Sequence, residues 1–506
     1  MVRMAEAIVN KEDFLNSAKE GKISPLICRL GTCQISPSTA LVALRDLKPV
    51  CLLESAGGSP GLTKYSFLGL NPLATFRYKN SKAEIIESAK TSYVSGNPFL
   101  LLRALLEKLS PESQINVPIP FLGGAMGYLS YDAGRYIERL PTVAQDDLGL
   151  PELYFVFPEI LLAFDHVNGE LYAIINQLVG RDGKRSYEEA RDKLDVICSF
   201  LTGRQGGLEI PGSKTEPKAD KNLIASSNLS QPEFADIVEK IQEYIRAGDV
   251  YQVNISQRLE VPFGGDPFAL YRQLNNINPS PFASYLECGD FQLVSSSPER
   301  LIMLRDGIAQ TRPIAGTRRR GDDLAEDGEL SNDLILDEKE RAEHIMLVDL
   351  ERNDLGRVCK FGSVEVDELM VLEKYSHVIH IVSNVRGTLP KGKDQFDLIQ
   401  AMFPGGTITG CPKVRCMEII EELEPVRRGP YTGSIGYFGF NGNMDMNIII
   451  RTFVIKDREA YAQVGAGIVI DSKPNREYFE TLSKADALLA AVGCRKEVER
   501  WERLFT

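Results

Sequence analysis

Two pairs of glutamates pose the first chemical question in this sequence. Glu340 and Glu343 lie at i, i+3, with His344 four residues after Glu340. Glu477 and Glu480 repeat the spacing, with Lys484 seven residues after Glu477. Residues three or four apart share a helix face, so each pair presents two carboxylates together. A lone E-x-x-E is ordinarily a solvated face. Here Glu340 leads into His344-Ile-Met-Leu-Val, and Glu480 stands between Phe479 and Leu482. Carboxylates beside apolar surface need protons, bases or a metal to compensate them. Oxygen-only ligands suit a hard cation, and Mg²⁺ takes one or two protein carboxylates while sharing the rest of its octahedron with substrate and water.

Three further segments have features that suit an anion. Phe403-Pro-Gly-Gly-Thr-Ile-Thr-Gly-Cys-Pro-Lys413 puts glycines ahead of a helix whose first turn should hold Pro412. Free N–H groups at such a start favour negative charge, although a plain structural turn reads equally well. The gap from Gly405 to Gly410 copies a P-loop, but Cys411 and Pro412 replace the required Lys-Ser/Thr, so nucleotide binding is rejected. In Gln463-Val-Gly-Ala-Gly-Ile-Val-Ile470, Gly465 and Gly467 share a strand face, where missing side chains admit either a ligand or a neighbouring helix. Arg312-Pro-Ile-Ala-Gly-Thr-Arg-Arg-Arg-Gly321 sets Gly316 and Thr317 beside a basic cluster that a solvated loop would also explain. Arg451 follows the apolar run Ile448–Ile450, and a guanidinium there needs an anionic partner and can grip a carboxylate with two bonds. Together these suggest a small polyanion held by Mg²⁺, arginine and backbone amides.

The elements that must position these residues are readable in outline. At roughly 150 residues per domain, a chain of 506 residues suggests two or three domains. The segment from Gly203 to about Ser230 is rich in Gly, Ser, Pro and Lys and lacks aromatics, as a linker does. The expected division is 1–203, a linker over 204–230, and 231–498. After the linker, Ser230 and Glu233 form a capping-box pattern, Phe234, Ile237, Val238, Ile241 and Ile245 recur at helical spacing, and Gly248 can stop the helix. Tyr251, Val253 and Ile255 alternate with polar residues as in a strand. Further strands fit Phe291–Ser295, Ile448–Val454 and Ala462–Ile470, and helices fit Asn332–Leu350 and Arg476–Ala491. The mixed order, without regular βαβ alternation, predicts an α+β fold with large, mainly antiparallel sheets.

Composition removes several functions. The 70 acids outweigh 58 bases, for a net charge of -12, which argues against a nucleic-acid or anionic-membrane binder. No secretory signal and no membrane-spanning apolar run is visible. Nine cysteines are too sparse for a disulfide scaffold, and the C-x4-C pairs Cys28/Cys33 and Cys411/Cys416 make weak zinc sites in a chain with four histidines. A reducing cytoplasm fits this usage.

The motifs PIAGTRRRG, EKERAEHIMLVDLERNDLGRV, FPGGTITGCPKVRCMEIIEELEP, RRGPYTGSIGYFG and GAGIVIDSKPNREYFETLSKADALL occur in that order and cover most of 230–493. They resemble the chorismate-utilising enzymes and, among these, the large-subunit family of anthranilate synthase. The resemblance implies two large antiparallel sheets in a sandwich-like arrangement with flanking helices. It implies Mg²⁺-dependent conversion of chorismate and ammonia to anthranilate and pyruvate, the first committed step of tryptophan biosynthesis. By motif matching, Glu343 and Glu480 would be the principal metal ligands, with Glu340 and Glu477 in support. Gly316, Thr317, Tyr431, Arg451, Gly465, Ala466 and Gly467 would bind chorismate, with Lys484 assisting near the carboxylates. Glu299 matches the acid that protonates the departing C4 hydroxyl, and His380 the histidine linked to pyruvate elimination. Related isochorismate and salicylate synthases carry a water-activating lysine where Gln252 stands. Aminodeoxychorismate synthases, the alternative reading, commonly carry a lysine where Ala315 stands. Both departures favour direct attack by ammonia.

No cysteine has the G-x-C-x-G setting of a glutamine amidotransferase nucleophile, since Gly31-Thr-Cys33-Gln-Ile fails at the last position. The resemblance therefore implies a separate glutaminase small subunit, in an assembly of two large and two small chains. Cys51-Leu-Leu-Glu-Ser55 and Asn278-Pro-Ser-Pro-Phe282 resemble that family's tryptophan-sensing elements, which implies feedback inhibition through Glu54, Ser55, Pro279, Ser280 and Pro281.

Overall fold

Long runs of β-branched and aromatic residues pair here into antiparallel ladders. The computed structural model describes residues 6–32, 35–57, 64–87, 90–113, 117–203, 224–374 and 378–494. In the N-terminal segment, Tyr65–Lys79 pairs along Leu153–Asp165, and Ile23–Thr32 pairs along Glu170–Leu178. In the C-terminal segment, Gln252–Pro262 lies against Glu459–Ile468, which continues through Thr452–Lys456 to Phe291–Ser297. Ile314–Arg319 and Glu365–Lys374 both pair with Val378–Thr388. The ladders join into one hydrogen-bonded network flanked by helices. This is the α+β, mainly antiparallel architecture expected.

The two segments share this network. Pro49–Glu54 pairs with Phe282–Glu287, and Gly124–Leu129 pairs with Ser434–Gly439. The apolar core mixes both halves: Phe121 stacks on Tyr437 and Phe67 meets both edge to face, with ring centroids 4.3 to 5.6 Å apart. The expected linker lies outside the described residues over 204–223. Its last residues include a short strand, Ser226–Ser227, paired with Leu259 and Glu260.

Local signals placed one helix closely and misplaced others. Gln231–Ala247 is helical, capped by the Ser230/Glu233 box and ended by Gly248 at φ 83°. The single helix expected over 332–350 is two, Leu324–Leu336 and Glu338–Gly356. Asp337 divides them, because its carboxylate accepts from the Lys339 and Glu340 amides and begins the second helix. The helix expected over 476–491 is likewise Pro474–Lys484 followed by Asp486–Val492. Pro412 is the N-cap of Lys413–Leu423 and not part of its first turn. The strand expected over 448–454 starts only at Thr452, since Arg451 adopts φ 50°, a left-handed conformation that an extended strand does not contain.

Helix 231–247 positions helix 474–484. Phe234 is fully buried and meets the Tyr478 ring edge to face at 5.7 Å. Phe234→Ala is expected to cost about 3–5 kcal/mol of stability, read as a lowered denaturant midpoint with unchanged slope.

Candidate active site

The antiparallel register places Asn254 opposite Gly467 and Ser256 opposite Gly465. A Cβ on Gly465 would sit 2.7 Å from the Tyr431 hydroxyl and 2.8 Å from Asn254 Oδ1. A Cβ on Gly467 would strike the Gln252 amide. The two glycines therefore let Tyr431, Asn254 and Gln252 lie close against the backbone of one sheet face. Ala466 turns its methyl to the opposite face and into the core, so it can offer the site only backbone. The Gly465 carbonyl accepts a 3.0 Å bond from Lys484 Nζ, which also pairs with Glu480 at 3.2 Å.

The four expected acids come from two helices. Gly316 has φ 69° at a bulge in its strand, and a Cβ there would lie 3.0 Å from Glu340 Oε2. Glu340 also accepts from Arg318 at 3.3 Å, and Glu343 accepts from the Gln252 amide at 3.4 Å. Burial, and then the Glu340 charge, raises the Glu343 pKa. Burial also raises Glu477, the Ser472 hydrogen bond lowers it, and the Glu480 charge raises it. Lys339 and Lys484 act on both Glu343 and Glu477, which sets the two pairs in one electrostatic neighbourhood. Among the described residues no three His, Cys, Asp or Glu side chains gather closely enough to cage a metal. The donor set still fits a hard divalent cation, which needs few protein carboxylates and would relieve the like charges of these acids, partly buried at Glu340, Glu343 and Glu477. Cys411 and Cys416 are free thiols, and Cys33 lies outside the described residues.

A second group adjoins these acids. Glu299 is buried, and loss of solvent pushes its carboxyl to about 7 against the opposing pull of nearby Thr407 and Arg451. Burial pulls the Arg451 guanidinium down, and Glu299 partly offsets this. Arg451 thus lies near a carboxyl that offsets its charge only when ionised, held there by a strained left-handed backbone. Thr432, next to Tyr431, is also left-handed at φ 59°. His380 is 6% exposed, and its Nδ1 lies 3.1 Å from both the Gly316 carbonyl and the Thr317 hydroxyl. A carbonyl only accepts, so the proton is on Nδ1 and Nε2 is the basic nitrogen. Burial lowers the His380 pKa, keeping the ring neutral.

The structure adds groups that the sequence analysis passed over. Glu351 continues the helix face of Glu340 and Glu343 and is buried, with Oε2 bonded to no protein atom. Burial, then Asp354, raises its pKa, Lys413 opposes this, and the Glu299 charge adds to it. The three-and-four spacing extends from Glu343 through Leu347 to Glu351 and would have found it. Lys413, ending the glycine-rich segment, is buried against Asp354 and the Met402 carbonyl, so that lysine braces the fold.

The residues expected to sense tryptophan meet at a strand pairing, with Ala283 opposite Glu54. Glu54, Ser55 and Pro281 line a cavity with Tyr65, Met303 and Tyr437. The Glu54 carboxylate is occupied by Ser38, Tyr271 and Asn275, and Ser55 donates to the Tyr65 carbonyl at 2.9 Å. Pro279 and Ser280 do not line this cavity. Ser280 accepts from the Ala56 amide, and Pro279 abuts Gly57.

Glu343 and Glu477 titrate higher in the folded chain than at their unfolded value of about 4.3. The folded chain thus binds more protons, and stability falls as pH rises through the folded values. In metal-free buffer, the double variant Glu343→Gln/Glu477→Gln is expected to match the native urea midpoint at about pH 4 and exceed it at about pH 8. An equal gap at both pH values would contradict this electrostatic account.

With that geometry in hand, comparison with known proteins is informative. Residues 48–490 match a family described as chorismate binding enzyme. The chain is 43% identical over 476 residues to anthranilate synthase component 1 of Acetivibrio thermocellus, covering 94% of this chain and 96% of the relative. It is 45% identical over 447 residues to aminodeoxychorismate synthase component 1 of Bacillus subtilis (strain 168), covering 88% and 92%. The crystal structure of anthranilate synthase component I from Streptococcus pneumoniae TIGR4 superposes with a TM-score of 0.74 at 33% identity, covering 85% of this chain and 92% of that one. A match across most of the length, on a fold that brings the motif residues to one glycine-opened sheet face, makes this chain a member of the chorismate-binding enzyme family.

Proposed function

We propose that the chain is the large subunit of an anthranilate synthase, converting chorismate and ammonia to anthranilate and pyruvate. The observation that carries this reading is the pairing of two proton-handling groups across one site. Glu299 is a buried carboxyl near 7, able to give a proton at neutral pH. His380 is a buried neutral imidazole whose proton sits on Nδ1, which makes Nε2 its basic nitrogen. Glu299 protonates the C4 hydroxyl, which leaves as water while ammonia adds at C2 and sheds a proton. His380 then assists removal of the C2 proton, the ring C–O bond to the enolpyruvyl group breaks as the ring becomes aromatic, and the released enolpyruvate takes up a proton at its methylene carbon to become pyruvate. Arg451 binds a substrate carboxylate, Tyr431, Gly316 and Thr317 bound the pocket, and Gly465 and Gly467 let the substrate reach the backbone. Mg²⁺, held by Glu343 and Glu480 with Glu340 and Glu477 in support, would stabilise charge on the ring carboxylate. Lys484 steadies that acidic face through Glu480 and the Gly465 carbonyl.

Ammonia comes, in this reading, from a glutaminase small subunit in a complex of two large and two small chains. Support lies in the name "component 1" of the relatives and in the absence of an amidotransferase cysteine motif from the sequence. Tryptophan inhibits through the cavity at Glu54, Ser55 and Pro281, with Pro279 and Ser280 shaping its turn. Among the described residues no helix is long and apolar enough to cross a membrane. The aminodeoxychorismate synthase reading rests on the 45% relative. Ala315, small and buried, supplies no amine for a covalent intermediate and supports direct ammonia attack.

Incubation of the chain with chorismate, ammonium and Mg²⁺ is expected to yield fluorescent anthranilate with equimolar pyruvate. A non-aromatic amino product without pyruvate would favour the second reading. Glu343→Gln is expected to abolish Mg²⁺-dependent turnover. At fixed free ammonia, kcat/KM is expected to fall as pH rises through about 7, because ionised Glu299 has no proton to give. Glu299→Gln should lose roughly 10²–10⁴-fold in rate. Ser55→Phe should relieve tryptophan inhibition while turnover persists, and unchanged inhibition would remove the sensing assignment.

A further inference from the structure

The strand ladder that carries the two glycines also carries a row of polar side chains with no role so far. Arg258 stands opposite Gln463, Ser256 opposite Gly465, and Asn254 opposite Gly467. Alternate residues share a face, so Arg258, Gln463, Ser256, Asn254 and Gln252 form a file along it. All five are buried. The inner end is Gln252, beside Glu343. The outer end enters a small cavity bounded by Arg258, Gln463, Tyr461, Leu148, Val454 and Tyr431, where Leu148 and Tyr461 are partly exposed.

Three amide oxygens along this file, Gln463 Oε1, Asn254 Oδ1 and Gln252 Oε1, are buried and accept no hydrogen bond from the described residues. Two orientations are fixed by their neighbours. The Ser256 hydroxyl spends its proton on Glu424 at 2.7 Å, so toward Gln463 it can only accept, and it takes the Gln463 NH₂ at 2.8 Å. The Gln252 NH₂ faces the Glu343 carboxylate. The oxygens are therefore the free ends of both glutamines. An unmet buried carbonyl is costly, and carbonyl oxygens only accept. Their occupant must be a small molecule with several N–H or O–H donors. Charge narrows the choice. Arg428 and Arg258 flank the outer part of the file, and the carboxylates there are already engaged, Glu424 by Arg428 and Asp147 by Arg258. A second cation is disfavoured there, so ammonium is excluded and neutral ammonia, with three donors, is admitted.

We propose that this amide file conducts ammonia from the cavity at Arg258 and Tyr461 to the substrate pocket at Gln252. The proposal rests on the reading that ammonia is the nucleophile. No bond forms or breaks in transit, and ammonia passes from one carbonyl acceptor to the next.

Gln463→Leu keeps the side chain's size and removes the acceptor. With the full-length chain, ammonium chloride as nitrogen source and saturating chorismate, its KM for ammonium is expected to rise about tenfold. Its chorismate KM, and its kcat at saturating ammonium, should stay within about twofold of native. Val454→Phe, which fills the outer cavity from its apolar wall, should give the same split. An unchanged ammonium KM in both variants overturns the path and leaves the oxygens to ordered water. An equal rise in the chorismate KM also overturns it, since that reports a damaged substrate pocket. A native chain inert toward chorismate and ammonium refutes the functional reading itself, and the path with it.

Discussion

Ten residue pairs hold strand 252–262 against strand 459–468, from Val253–Ile468 to Pro262–Glu459. The rest of the site depends on that register. Side chains alternate between faces with a period of two, so a slip by one residue would move every side chain on the strand to the other face. In the observed register Gly465 meets Tyr431 and Asn254, and Gly467 meets Gln252. The Gly465 carbonyl is free for Lys484, and Gln252 reaches Glu343. The opposite face carries Val253, Ile255, Ala466 and Ile468 into the core shared with helix 231–247. Burial of these apolar side chains specifies the register, and the register places the polar face.

Charge is handled in a graded way around this ladder. The fully buried Arg428 is satisfied from all sides, by both Glu424 oxygens, by the Ile408 and Asn254 carbonyls, and by Thr432. Such a group is structural, because removing any partner would leave an uncompensated buried cation. Arg451 is different. The Glu299 charge only partly offsets its burial, which suits its guanidinium to take an anion. Glu299, Glu343 and Glu477 are raised by burial, and in two of them a neighbouring carboxylate adds to the rise. Perturbed acids concentrated beside a guanidinium are what an acid–base and anion-binding site requires.

Helix 231–247 was legible residue by residue, because the capping box, the apolar spacing and Gly248 all act within a few residues of one another. The helix over 332–350 was not, since Asp337 can either continue a helix or cap a new one, and its bonds to Lys339 and Glu340 amides exist only once the chain has turned. Arg451 was expected to lie within a strand because Ile448–Ile450 is apolar. Its left-handed turn depends on distant partners, the Ser296 amide donating to the Arg451 carbonyl and the Thr432 amide to Ile449. Glu351 was overlooked although its spacing was visible, because nothing in a run of acids tells which one will be buried.

From the order of residues alone came the kinds of chemistry available: paired acids on helix faces, glycines on one strand face, a lysine-free position at Ala315, and the motifs that carry the family resemblance. These depend on residue type and short spacing, which the covalent chain carries with it. Which acids are buried, which histidine nitrogen holds the proton, and which amide oxygens face a cavity were decided by tertiary structure. Gln463 and Ser256, Tyr431 and Gly465, Glu54 and Ala283 are far apart in the chain and meet only through strand pairing. Desolvation and hydrogen-bond satisfaction are properties of that three-dimensional packing and cannot be read from a neighbour in sequence.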